Sequence, residues 1–121
     1  MARILVVDDE VNLRKLYKSD LEEQGFTVVT AANGLEAMQS VQAEVPDLVI
    51  LDIKLAQDNG LDCLRRIKEF NATIPVILNS GYSTYKDDFS SWLADAYLVK
   101  ASNTQELANK VRELLELKPV I

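Results

Sequence analysis

Five short apolar runs alternate with stretches of helical spacing along this chain, and no other feature limits its fold so tightly. The runs are Ile4–Val7, "FTVVTA" at 26–31, Leu48–Leu51, Val76–Leu78 and, more weakly, Tyr97–Val99. An apolar run without polar alternation suits a strand covered on both faces, which is the environment of a parallel sheet. The intervening stretches repeat at i, i+3 and i+4. Leu13, Leu16, Tyr17 and Leu21 form one stripe, with Gly25 placed as the residue that ends a helix. Leu35, Met38, Val41 and Val45 form a second before Pro46, and Leu61, Leu64 and Ile67 a third. Leu107, Ala108, Val111, Leu114 and Leu115 form the last, which runs to about Leu117, with Asn103 and Glu106 spaced as a capping box. The expected fold is therefore α/β, a five-stranded parallel sheet with helices on both faces.

The fourth helix, "STYKDDFSSWL" at 83–93, is the weakest. Thr84 and Asp87 are spaced as a cap, and Tyr85, Phe89, Trp92 and Leu93 give it an apolar side. Its Ser, Thr and Asp content makes it a poor helix former, open to displacement by a small differential energy.

Length and charge narrow the function. A chain of 121 residues, 48% hydrophobic, has the size of one domain with one real core, and residues 1–121 are read as a single domain. A net charge of −6 argues against a nucleic-acid footprint. Without histidine there is no His-based triad or His metal site, and the lone Cys63, read as an inert, partly buried thiol, makes no internal disulfide. "MARILVV" runs straight into "DDE", unlike a signal peptide, and no apolar stretch approaches membrane-spanning length. The expectation is a soluble, cytoplasmic domain without membrane contact.

In a parallel sheet every strand ends on the same edge, where open α/β folds bind their ligands. Here the first strand ends in Asp8 and Asp9, the third in Asp52, the fourth in Asn79 and Ser80, the fifth in Lys100. Asp8 and Asp9 alone would read as helix caps. Three converging carboxylates instead repel one another unless a cation lies among them, and hard oxygen donors without His or Cys suit Mg²⁺. Lys100 is a strand-end lysine reaching water, or the partner of Asp52 or of a phosphoryl oxygen. Ser80 is a turn residue before Gly81, or a hydroxyl that hydrogen-bonds an added phosphoryl group. The four glycines are isolated, so no nucleotide-binding loop competes. Asp52 thus reads as a nucleophile that becomes an aspartyl phosphate.

The blocks "ILVVDDE", "LVILDIKLAQDNGLD", "VILNSGY" and "AYLVK" together resemble the response-regulator receiver domains of two-component signalling, in order and at the usual spacing across the whole chain. The resemblance implies a flavodoxin-like (βα)₅ sheet of order 2-1-3-4-5. It implies phosphoryl transfer to Asp52 from a sensor histidine kinase, a phosphotransfer protein or a small phosphodonor. It implies Mg²⁺ held by Asp9 and Asp52 directly, by Asp8 through water and by the backbone carbonyl of Lys54. Ser80 and Tyr97 match the switch pair that remodels the face of fourth helix, fifth strand and fifth helix, a face that also suggests a homodimer. Lys54 and Tyr82 match positions that tune dephosphorylation. From the residues alone, Tyr97 reads as a strand aromatic filling core.

Three departures stand out. Ala56 replaces the usual proline four places after the phosphoacceptor, and Asn59-Gly60 replaces Asp-Gly while keeping good turn chemistry. Lys100-Ala101 replaces Lys-Pro. A cis bond before alanine costs about 2.5–4 kcal/mol, so that loop either takes the trans form or stores the strain.

Haloacid-dehalogenase-like phosphatases share an aspartate nucleophile, Mg²⁺, Ser/Thr and Lys. They need a second Asp two places beyond the nucleophile, where this chain has Lys54. The reading is thus of a domain that catalyses only its own phosphorylation and dephosphorylation. The rival that survives is a receiver-like interaction module independent of phosphate, which would usually have lost one of the acids or the lysine. Pro119 opens either a linker to an effector domain or the end of a stand-alone regulator.

Overall fold

A computed structural model describes residues 2–55, 59–81, 93–99 and 104–116. Five strands, β1 (Arg3–Val7), β2 (Thr27–Ala31), β3 (Leu48–Leu51), β4 (Val76–Ser80) and β5 (Ala96–Val99), form one parallel sheet of order β2-β1-β3-β4-β5. Among the described residues the helices are α1 (Val11–Glu23), α2 (Gly34–Ala43), α3 (Gly60–Phe70) and α4 (Gln105–Glu116). The predicted helix at 83–93, the cap residue Asn103 and the residues from Leu117 onward lie outside the described residues or at their margin.

The apolar runs serve two cores at once, because successive strand side chains point to opposite faces. Ile4, Val6, Leu48, Ile50 and Ile77 face α1 and α4, where they pack with Tyr17, Leu21, Leu107 and Val111. Leu5, Val7, Val49, Leu51, Val76 and Leu78 face α2 and α3, with Ala37, Val41, Leu64 and Ile67. This two-sided burial explains the lack of alternation in the strands.

Not every residue of the predicted stripes is buried. Leu16 is 42% exposed, Leu35 66% and Val45 49%. On α1 the sheet-facing line is Leu13, Tyr17 and Leu21, each four residues on, and Leu16 falls beside it. On α2 the line is Ala37 and Val41, Leu35 lies in the first turn off that line, and Val45 comes after the helix has ended at Ala43.

Gly25 ends α1 as its position suggested. Its φ is 98°, its N–H donates to the Glu22 carbonyl (3.0 Å), and the Phe26 N–H donates to the Leu21 carbonyl (3.2 Å), the paired bonds of a Schellman motif. At the opposite edge from the strand C-termini, Lys68 of α3 donates to the Ile74 carbonyl (2.6 Å) and to Asp95 Oδ2 (2.7 Å). The same Asp95 oxygen accepts from the Val76 N–H at 2.8 Å, so one lysine ties α3 to the starts of β4 and β5. Cys63 is fully buried rather than partly so. Among the described residues no helix is long and apolar enough to cross a membrane.

Candidate functional site

Strand register brings the acids together. Val7 pairs with Leu51, so Asp8 and Asp52 each leave the sheet one residue beyond paired neighbours. The Asp52 N–H donates to the Val7 carbonyl (3.0 Å) and the Asp8 N–H to the Ala31 carbonyl (3.1 Å), which anchors both main chains to the sheet edge. Asp8 and Asp52 are buried, only 2% and 5% exposed, and Asp9 is the most open of the three. Each offers a carboxylate oxygen, and these oxygens all lie within 4.8 Å of one another.

At such a separation two unit negative charges repel by roughly 3 kcal/mol at an effective dielectric of about 20. The arrangement is therefore costly as three bare anions and suited to a divalent cation. Oxygen donors alone, with no nitrogen or sulfur ligand, fit Mg²⁺ in charge and hardness.

Capping does not account for the acids. The N-cap of α1 is Glu10, whose side chain makes no cap bond. Asp8 Oδ1 instead accepts from the Glu10 N–H (2.9 Å), ahead of the helix. Sequence reading missed Arg14, which sits one turn into α1 and donates from Nη1 to the Asp8 carbonyl at 2.6 Å. That contact sets a positive charge beside the acids, and nothing in its spacing announces it.

After Asp52 the chain turns sharply. The Lys54 N–H donates to Asp52 Oδ1 at 3.3 Å, and the Lys54 side chain is exposed. Lys54 pairs with Asn59 in an isolated antiparallel bridge, and Ala56 lies outside the described residues. The expected Asn59-Gly60 turn is instead the start of α3. Asn59 is the N-cap and accepts from the Leu61 N–H (2.8 Å), and Gly60 is the first helical residue. Positive φ is not what Gly60 supplies, since among the described residues only Gly25 has it.

Ser80 is fully buried at the end of β4, paired with Val99, the last residue of β5. Lys100, Ala101 and Tyr82 fall outside the described residues. Tyr97, opposite Leu78, packs half-buried against the core on the α2 and α3 side, in keeping with a strand aromatic that fills core. Sequence reading also gave Asn79 no partner, yet its Nδ2 donates to the buried Tyr17 hydroxyl at 3.1 Å.

Comparison with known proteins points one way. A family model described as the response regulator receiver domain matches residues 4–112. The response regulator protein TrrA of Thermotoga maritima, solved in complex with Mg(2+)-BeF, is 46% identical with a TM-score of 0.91, over 94% of this chain and 99% of that one. TrrA solved in complex with the histidine kinase ThkA gives a TM-score of 0.89 at 46% identity, over 95% and 99%. The transcriptional regulatory protein ZraR of Klebsiella oxytoca is 35% identical over 93% of this chain and 26% of its own length. The chain spans about a quarter to a half of the length of such curated relatives. With a matching model across nearly all its length and a sheet of the same order, the chain belongs to the response regulator receiver domain family.

Proposed function

We propose that this domain accepts a phosphoryl group on Asp52 and uses it as a signal. The observation that carries the reading is the gathering of Asp8, Asp9 and Asp52 within 4.8 Å, with Asp52 buried at the strand edge. A carboxylate there is costly to hold bare and is shielded from bulk water, which suits a nucleophile that forms an acyl phosphate.

In the reaction an Asp52 oxygen attacks phosphorus. The bond from phosphorus to the donor, an imidazole nitrogen or a carboxyl oxygen, breaks, and its electron pair leaves with the donor. Dephosphorylation reverses the state, with water attacking phosphorus and the Asp52 carboxylate departing. Asp8, Asp9 and Asp52 with the Lys54 carbonyl would hold Mg²⁺, which when bound supplies neutralisation between these acids and the incoming phosphoryl charge. The Lys54 N–H donates to Oδ1 of Asp52 and so helps to fix how the carboxylate is turned. Ser80 and Lys100 are assigned to the transferred oxygens, and Lys54 and Tyr82 to tuning the lifetime of the phosphate.

Ser80 and Tyr97 are assigned as the switch, acting on the face made by β5, α4 and the segment 83–93. A histidine kinase or phosphotransfer protein is the assigned donor, supported by the ThkA complex of the relative TrrA. The domain is read as cytoplasmic, as catalysing only its own phosphorylation and dephosphorylation, as making no nucleic-acid contact, and as able to pair with a second copy through that face.

Intact mass after incubation with acetyl phosphate and Mg²⁺ tests the reading. Wild type should gain about 80 Da, and Asp52→Asn should gain nothing. A wild-type mass unchanged under fast quenching would instead favour a module that works without phosphate.

A further inference from the structure

We infer that Gly60 is a positioning residue for Asp52, an inference that rests on the reading of Asp52 as phosphoacceptor. The reason is space. A Cβ built on Gly60 would stand 2.0 Å from the Asp52 carbonyl oxygen, 2.7 Å from Ile53 Cα and 2.9 Å from the Asp52 carbonyl carbon. All three are backbone atoms, so no side chain can swing aside to make room. The Gly60 N–H also donates to the Ile53 carbonyl at 2.7 Å. The first turn of α3 is thus bonded flat against the 52–53 peptide.

This contact completes a clamp. From the sheet side, the Asp52 N–H is held by the Val7 carbonyl (3.0 Å). From the other side, Gly60 fixes how near α3 can come to the Asp52 carbonyl. The turn that follows brings the Lys54 N–H back onto Asp52 Oδ1. The aim of the Asp52 carboxylate and of the Lys54 carbonyl therefore depends on that approach. Real Cβ atoms essentially never come closer than about 3.0 Å, so a methyl group at residue 60, starting at 2.0 Å, would force the peptide and helix apart by about 1 Å. A displacement of that size at a reacting group can cost about a hundredfold in rate. Gly25 is the contrast, since a Cβ there meets nothing within 4 Å and its glycine answers only to φ.

The test compares wild type, Gly60→Ala and Asn59→Ala for phosphorylation rate with acetyl phosphate, Mg²⁺ affinity by calorimetry, and melting temperature. Asn59→Ala removes the cap bond of α3 without adding an atom near Asp52. We expect Gly60→Ala to lose about a hundredfold in rate and at least about tenfold in Mg²⁺ affinity. Asn59→Ala should melt lower yet keep its rate within about threefold of wild type, because a lost cap costs helix stability and not site geometry. A Gly60→Ala rate within threefold of wild type overturns the inference. So does an Asn59→Ala loss as large, which would mean that any loosening of α3 suffices. A wild-type domain that takes no phosphoryl group sinks the reading of Asp52 itself. Should Gly60→Ala not fold, amide spectra of wild type decide: the Gly60 N–H should shift with the same Mg²⁺ dependence as Asp52, and a silent Gly60 overturns the inference.

Discussion

Tyr17 and Asn79, 62 residues apart, meet inside the protein through a 3.1 Å bond from the asparagine amide to the phenol oxygen. The bond joins α1, which follows the acids of β1, to the β4 residue beside Ser80. Both partners are buried, so removing either one takes a buried hydrogen bond from the other. Tyr17→Phe and Asn79→Leu should each cost about 1–3 kcal/mol in urea unfolding. The double variant should lose clearly less than the sum of the two, because each single change already removes the one bond they share. Strict additivity would show that the bond contributes nothing.

The two leucines Leu64 and Leu35 both belong to predicted stripes but differ in burial. Leu64 is fully buried on α3, whereas Leu35 is 66% exposed on α2. Leu64→Ala should destabilise by about 2–5 kcal/mol. Leu35→Ala should stay within about 0.5 kcal/mol of wild type. Thermal or chemical unfolding measures both, and similar losses would contradict the placement of α2.

Lys68 sits mostly buried under its partners, with an ion pair and a short bond to a main-chain carbonyl. Lys68→Met keeps the aliphatic stem and removes the donors. We expect a loss of about 1–2 kcal/mol, discounted because Asp95 is partly open to solvent. Much of that loss should persist at high salt, since the bond to the Ile74 carbonyl is not an ion pair. A loss abolished by salt would show that only the charge pair mattered.

Mg²⁺ should raise the melting temperature of the wild-type domain, since the cluster of Asp8, Asp9 and Asp52 that would hold it is absent from the unfolded chain. At a concentration a hundredfold above Kd the increment is about 2.7 kcal/mol. Asp9→Asn should lose most of that increment. Without metal the same variant should melt above wild type, because one of three mutually repelling charges is gone. Melts with EDTA and with excess Mg²⁺ read both signs, and a variant that melts below wild type in EDTA would refute the repulsion argument.

The apolar runs, the helical stripes, the glycine ending α1 and the edge at which Asp8, Asp9, Asp52 and Ser80 gather were legible in the sequence by itself. The runs are unbroken apolar stretches of strand length, the stripes follow the 3.6 period of a helix, and the edge follows from the rule that parallel strands share one C-terminal side. The order of the strands came from likeness to a family and not from periodicity. Only the tertiary structure decided that Ala37 and not Leu35 faces the sheet, since a stripe has margins and the neighbouring elements choose which margin is covered. It alone set Arg14 on the Asp8 carbonyl and joined Tyr17 to Asn79. It also gave Gly60 its reason. A glycine in the sequence announces freedom of φ, but at residue 60 what matters is the Asp52 carbonyl, one residue past β3, standing where a side chain would be, and such an approach exists only after strand and helix have packed.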